Sequence, residues 1–169
     1  MEEKLVLAAL VVNESGVLQR VASLFSRRGY NISSLTVSET EDPQFSRMTI
    51  ECMTEPENFS QIKRQLAKLE IVKKVSSLTD ENSVSSELLL VKVEASGIPQ
   101  KNALLSFNLK YGARVIDVSL QTVTLEFTGA GETIDEFLDY LIANFKIVEL
   151  ARTGITSLQR GEGSFTDDV

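Results

Sequence analysis

Two asparagines and a glycine are the residues of this chain best suited to holding a small molecule. Asn13 and Gly16 sit in the polar turn Asn13-Glu14-Ser15-Gly16, after an apolar run and before a helical stripe; Asn31 opens the strand that follows the helix. The first N–H groups of a helix have no partner within it and favour an anion, here an α-carboxylate. Gly16 lets a ligand approach the backbone with no Cβ in the way. The Asn31 carboxamide offers both donor and acceptor, which suits an ammonium beside a carboxylate. Val17, Leu18 and Ile32 supply apolar lining. This is the chemistry of recognising a zwitterion. A plainer reading stands beside it: Asn-x-x-Gly is a common turn, Asn13 or Ser15 a common cap, and Asn31 a common helix-exit residue. On these residues alone the plainer reading is the stronger.

Other chemistries find little footing. Histidine is absent, which removes Ser-His-Asp triads, Cys-His pairs and His-based zinc sites. The single cysteine, Cys52, excludes an intramolecular disulfide and any CxxC site, and its place in MTIECM reads as an inert thiol in a strand. Glu41-Asp42 and Asp135-Glu136 fall in a loop and at a helix start, where cap and dipole roles explain them. Arg20, Arg27, Arg28, Arg47, Arg152 and Arg160 read as solvated charge or as contacts to an acidic partner. No metal site and no catalytic constellation is expected, so an independent enzyme is not.

The net charge of −7 argues against nucleic acid and against an anionic membrane surface. No apolar run reaches the length of a transmembrane helix. The start, MEEKLVLAALVVNESG, lacks the basic region of a signal peptide and is acidic where a transit peptide is not, so a cytoplasmic protein is expected.

The elements that must position the turn can be read by periodicity. Lys4–Val12 is a nearly continuous apolar run, as in a central strand covered on at least one face. Val17, Leu18, Val21, Leu24 and Phe25 have helical spacing, and Gly29 stops that helix. Asn31–Ser38 and Arg47–Met53 read as strands joined by a turn containing Asp42-Pro43. Thr54 and Glu57 suggest a capping box, with Pro56 in the first turn of a helix carrying Phe59, Ile62, Leu66 and Leu69. Ile71–Leu78 returns as a strand. The order is βαββαβ.

The second half repeats that order. Glu87–Ala95 is a strand. Gly97-Ile98-Pro99 opens a helix that Gly112 ends, and Ala113–Ser119 with Gln121–Phe127 forms a hairpin. Thr133 and Glu136 suggest a second capping box. Ile147–Ala151 is a last strand, with a break at Gly154 and a continuation toward Leu158. The chain therefore reads as α+β, two tandem ferredoxin-like domains: 1–79, a linker at 80–86, 87–160, and a polar, frayed tail at 161–169. The second strand of such a sheet lies at an edge. Here it carries Ile32, Leu35 and Val37 and no charge before Glu39, so pairing with a second copy in a homodimer is expected.

The string NESGVLQRVASLFSRRGYNISSLTV with SRMTIE at Ser46–Glu51 resembles the small, regulatory subunit of acetolactate synthase (acetohydroxyacid synthase). The resemblance continues through LLLVKVEASG, VIDVS, TLEFTG and IVELARTG, nearly the whole chain in order. It implies an N-terminal ACT domain and a second ferredoxin-like domain. It implies binding to the large catalytic subunit, whose cofactors would be thiamine diphosphate, Mg2+ and FAD, with none in this chain. That enzyme joins two pyruvates, or pyruvate and 2-oxobutyrate, with release of carbon dioxide. The implied role is to raise its activity and impose feedback inhibition by valine or related branched-chain amino acids. The effector role falls on Asn13, Gly16 and Asn31 at an ACT dimer interface. Ser15 stands where many relatives have Pro, and GIPQKNALLSFNLKYGARVIDV departs from the family's charged helix.

Three rivals share the topology. An RNA-binding module would want exposed aromatics on its central strands, and Met48–Cys52 has none. An acylphosphatase-like enzyme would want an Arg in the loop after the first strand. An ACT-type sensor attached to a different enzyme is the nearest rival, and the second-half motifs speak against it.

Overall fold

A computed structural model of the chain describes residues 1–166; the last three residues of the expected tail, 167–169, lie outside the described residues. The described residues form two compact units, 1–85 with 154–166, and 86–153. Each holds two helices on an antiparallel sheet, of four strands in the first and of five in the second, the fifth being the short strand Thr156–Gln159, so the α+β, tandem ferredoxin-like architecture is the one observed.

In the first unit the elements are β1 (Glu3–Val12), α1 (Val17–Arg27), β2 (Ile32–Glu39), β3 (Phe45–Thr54), α2 (Pro56–Ala67) and β4 (Val72–Leu78). The sheet order is β2-β3-β1-β4, which leaves β2 at an edge. One face of β1, through Leu5, Leu7, Ala9 and Val11, packs with Val21 and Phe25 of α1 and Ile62 and Leu66 of α2. The helices form because their apolar residues recur at helical spacing, and they stay because that face is buried.

The second unit contains β5 (Ser83–Glu94, which begins in the first unit), α3 (Gly97–Tyr111), β6 (Arg114–Val118), β7 (Thr122–Gly129), α4 (Gly131–Asn144) and β8 (Ile147–Arg152). The order is β6-β7-β5-β8. Leu89, Val91 and Val93 of β5 meet Leu104, Ile134, Phe137 and Leu141 of the helices. Arg152 closes the unit by donating to the buried Glu87 (2.6 Å) and to Asp135 (2.5 Å). Burial acts to lower the Arg152 pKa, but the hydrogen bonds to Glu87 and Asp135 outweigh it and the net shift is upward.

Several local expectations change. Both capping boxes are absent: α2 starts after Glu55 and α4 after Ala130, each without a side-chain cap. Thr54 is instead a buried strand residue whose Oγ1 accepts from Asn58. Pro56 does take the first position of α2. Residues 83–86 of the expected linker are strand, because the returning chain pairs with β5 and Ser85 Oγ meets Ser157 Oγ (2.6 Å).

The largest difference concerns residues 154–166. The expected last strand stops at Arg152, and the chain crosses the outer face of the first sheet as a strap containing β9 (Thr156–Gln159), which pairs with β5. Ile155 and Phe165 are buried against Val6, Ala8, Leu10 and Leu78, with Phe45 alongside. The Arg47 guanidinium lies 4.6 Å from the Phe165 ring centroid and donates to Ser157 O (2.7 Å). Gly154 is needed for close approach: a Cβ there would lie 2.6 Å from Thr36 Oγ1 and against Ser34 Oγ. The described end of the chain is therefore not a frayed tail. Phe165 makes it adhere, and a lone aromatic among polar residues gives no periodic signal.

Candidate functional site

The turn is built from three strands. Asn13 N donates to Gln44 O (2.8 Å), which ties the end of β1 to the β2–β3 hairpin. The Asn13 side chain completes the tie. Its Nδ2 donates to Glu39 Oε1 (2.9 Å) and to Pro43 O (3.0 Å), and its Oδ1 accepts from Ser46 Oγ (3.1 Å). Asn13 is thus the clamp of the turn. Both its N–H donors are used, so what it offers a ligand is a remaining acceptor lone pair.

Gly16 is the N-cap residue of α1, at φ 84°, and no side chain caps the helix. An L side chain is strained at that φ, and open space surrounds the position where a Cβ would lie. Neither Asn13 nor Ser15 serves as a cap, and the first turn of α1 contains no acidic residue. Val17 N donates to Glu14 O (3.4 Å), and the N–H groups of Leu18 and Gln19 are left for solvent or an anion.

The other site residues do not all gather there. Val17 faces inward and is buried in the core, so it stabilises α1 rather than lining a pocket. Leu18 is 46% exposed and remains available beside the turn. Asn31 is exposed, immediately before β2, and Ile32 packs on the core. Register fixes their distance. Glu39 pairs with Ser46 at the turn end of the sheet, whereas Ile32 pairs with Cys52 at the other end. At about 3.3 Å per residue, Asn31 lies roughly 25 Å from the turn within one chain.

Glu39, Pro43 and Ser46 are site residues that sequence reasoning missed. They lie 26 to 33 positions from Asn13 and no spacing connects them. The hairpin that carries them is held from the far side by the strap. Phe45 packs against the Ile155–Phe165 cluster, and Thr166 Oγ1 donates to Glu41 Oε1 (2.7 Å). That hydrogen bond, with one from its own backbone, holds the Glu41 carboxyl below its usual range.

Cys52 is buried, and desolvation with the neighbouring Glu51 charge pushes its thiol up to about 11. It stays protonated and inert at neutral pH. Among the described residues no cluster of three or more potential ligands could hold a metal ion, and no helix is long and apolar enough to cross a membrane.

Comparison with known proteins identifies the family. Residues 7–74 match the family model of the AHAS small subunit-like ACT domain, and residues 86–161 match that of the small subunit of acetolactate synthase. The chain belongs to the acetolactate synthase small-subunit family. It is 44% identical over 156 residues to a probable acetolactate synthase small subunit of Methanothermobacter thermautotrophicus, covering 92% of each chain. It is 42% identical over 157 residues to the acetolactate synthase isozyme 3 small subunit of Escherichia coli, covering 93% of this chain and 96% of that one. The crystal structure of the small subunit from Thermotoga maritima superposes with a TM-score of 0.85 at 35% identity, covering 95% and 99%. Membership through both halves separates this chain from an ACT sensor of some other enzyme, and the family's role is that of a regulatory subunit.

Proposed function

We propose that this small-subunit family member binds and activates the thiamine-diphosphate-dependent catalytic subunit of acetolactate synthase in the cytoplasm, and makes it responsive to valine. The catalytic subunit alone carries Mg2+ and FAD in this reading. The observation that carries the effector site is the uncapped start of α1 at Gly16, beside a turn clamped by Asn13. The ligand carboxylate meets the free N–H groups, and Leu18 takes part of the isopropyl group.

The ammonium needs Asn31, which one chain holds at the wrong end of the sheet. An isologous, antiparallel contact of two β2 edges removes the difficulty. Centred on Leu35, it sets the partner subunit's Asn31 opposite Glu39, next to the Asn13 clamp. The homodimer is then part of the site.

Magnitudes suit a sensor. Valine has about eight heavy atoms, and roughly 0.5–0.8 kcal/mol per atom gives about 4–6 kcal/mol, or about millimolar to tens of micromolar. A coupling of about 1–3 kcal/mol to the catalytic subunit makes a useful switch.

Calorimetric titration with valine, of this chain and of an Asn31→Ala variant, tests the reading. Binding by the parent and at least a tenfold loss in the variant are expected. Absence of binding both to the isolated chain and to its complex with the catalytic subunit would overturn the effector site.

A further inference from the structure

Helix α3 presents different residues on its two flanks. Lys101 Nζ donates to Ser119 O (2.6 Å) and Asn108 Nδ2 to Ala113 O (2.5 Å), which turns one flank toward the two ends of β6. At roughly 100° per residue, those two lie about 40–60° round from the buried Leu104, whereas Gln100, Ala103 and Phe107 lie about 40–100° round in the opposite sense. That second flank faces α4. The Phe107 ring stacks on the Tyr140 ring, with centroids 3.6 Å apart and planes 7° from parallel. One turn nearer the start of α3 the residue is Ala103, too small to close the gap. A cleft of about 300 Å³ is left there, lined by Ala103, Tyr140, Phe145 and four polar residues. This is the lower end of the sizes found for small-molecule sites.

The polar residues are Glu94, Gln100, Asn144 and Lys146, and their commitments leave donors in excess. Ser96 N donates to Gln100 Oε1 (2.6 Å), so Gln100 offers its Nε2 N–H groups. Asn144 Nδ2 gives one N–H to Tyr140 O (2.8 Å) and keeps the other. Glu94 N donates to Lys146 O (2.9 Å), which fixes the chain where α4 passes into β8. Lys146 Nζ donates to Glu94 Oε2 (2.8 Å) and, with a side chain 76% exposed, keeps donors to spare. The Tyr140 hydroxyl has no hydrogen-bond partner among the described residues. On the acceptor side stand Asn144 Oδ1 and Glu94, whose charge Lys146 already balances.

A neutral cleft with an apolar floor and surplus donors suits a ligand that is anionic at one end, apolar in its body and free of donors of its own. We propose that the α3–α4 cleft of the second unit binds a small 2-oxo acid with a branched aliphatic body. Its carboxylate meets Lys146 Nζ and Gln100 Nε2, the remaining donors on Asn144 and Tyr140 serve its keto oxygen, and its body lies on Ala103 and the rings of Tyr140 and Phe145. The corresponding α-amino acid brings an ammonium to a cleft already rich in donors, so it is the poorer ligand. Every residue of the cleft belongs to the second unit, and the assignment does not rest on the effector reading.

Two-dimensional amide NMR of the full chain tests this with 4-methyl-2-oxopentanoate as the probe. Leucine, which has the same body with an ammonium in place of the ketone, is the control. The side-chain amide signals of Gln100 and Asn144 are expected to shift saturably at millimolar probe, and leucine to bind there at least tenfold more weakly. Lys146→Ala removes the cation and Ala103→Phe fills the cleft. Each is expected to weaken the probe at least tenfold with an unfolding midpoint near the parent's, because both positions face solvent. No saturable shift at those two amides overturns the proposal. So does a shift that either variant retains, or leucine binding there as tightly as the probe. Shifts confined to the Asn13–Gly16 turn would assign the probe to the effector site and refute the cleft.

Discussion

The central strands of the two units, β1 and β5, occupy the same place in the same topology and are covered differently. Leu5–Val11 is buried at every position, with odd residues against the helices and even ones under the strap. In β5 only Leu89, Val91 and Val93 are fully buried, while Leu90, Lys92 and Glu94 lie half-exposed on an open face. That face carries Lys92 paired with Glu149 (2.8 Å) and Arg114 paired with Glu126. A ferredoxin-like sheet needs one covered face to fold; what covers the other is a separate decision. The first unit spends its own chain end on it, and that chain end bears on the hairpin that clamps the candidate effector turn.

Removal of the strap has the largest expected effect. Ending the chain after Thr153 exposes Val6, Ala8, Leu10 and Leu78 together. We expect the first unit to lose its cooperative thermal transition or aggregate, with the signal of the second unit retained in calorimetry. A midpoint within a few degrees of the parent would show that the strap adds little.

Two substitutions of similar size separate the units. Phe165→Ala should destabilise the first unit by about 2–4 kcal/mol, because an aromatic is removed from a buried cluster. Leu90→Ala, on the open face of the second, should cost under about 1 kcal/mol. Denaturant titrations of the two variants supply the contrast, and equal effects would erase it.

Asn13→Ala removes the clamp and leaves Ser46 Oγ and Pro43 O without that partner. A loss of about 1–2 kcal/mol in stability is expected, with weaker valine binding in calorimetry. Unchanged valine affinity would detach the clamp from the effector site.

The smallest effect is electrostatic. Glu41 has its folded-state pKa lowered by Thr166, so its contribution is present above the ordinary carboxylate pKa and is lost as pH falls through the lowered one. Thr166→Val should reduce stability slightly at neutral pH, and the difference from the parent should vanish on acidification below about pH 4. A difference that persisted in acid would point to packing instead.

Much of this was readable in advance. Alternating and helical apolar spacing fixed the two βαββαβ units, and the turn at Asn13–Gly16 was visible as polar punctuation between two strong signals. Even the two-sided burial of β1 was written in its unbroken apolar run, against the alternation of Lys92 and Glu94 in β5. The capping boxes failed because a strand took Thr54 and a helix took Thr133 into its first turn, where longer-range packing outweighed a local four-residue pattern.

The sequence by itself determined the family, the order of elements and the residues of the turn, because these depend on short-range periodicity and on the types of a few neighbours. Only the tertiary structure decided that Glu39, Pro43 and Ser46 hold Asn13, that Asn31 stands at the far end of the sheet, and that residues 154–166 return to the first unit. The hydrogen bonds that make those meetings join positions 26 to 125 apart. No local pattern encodes them; they follow from strand register and from which apolar face is left to cover.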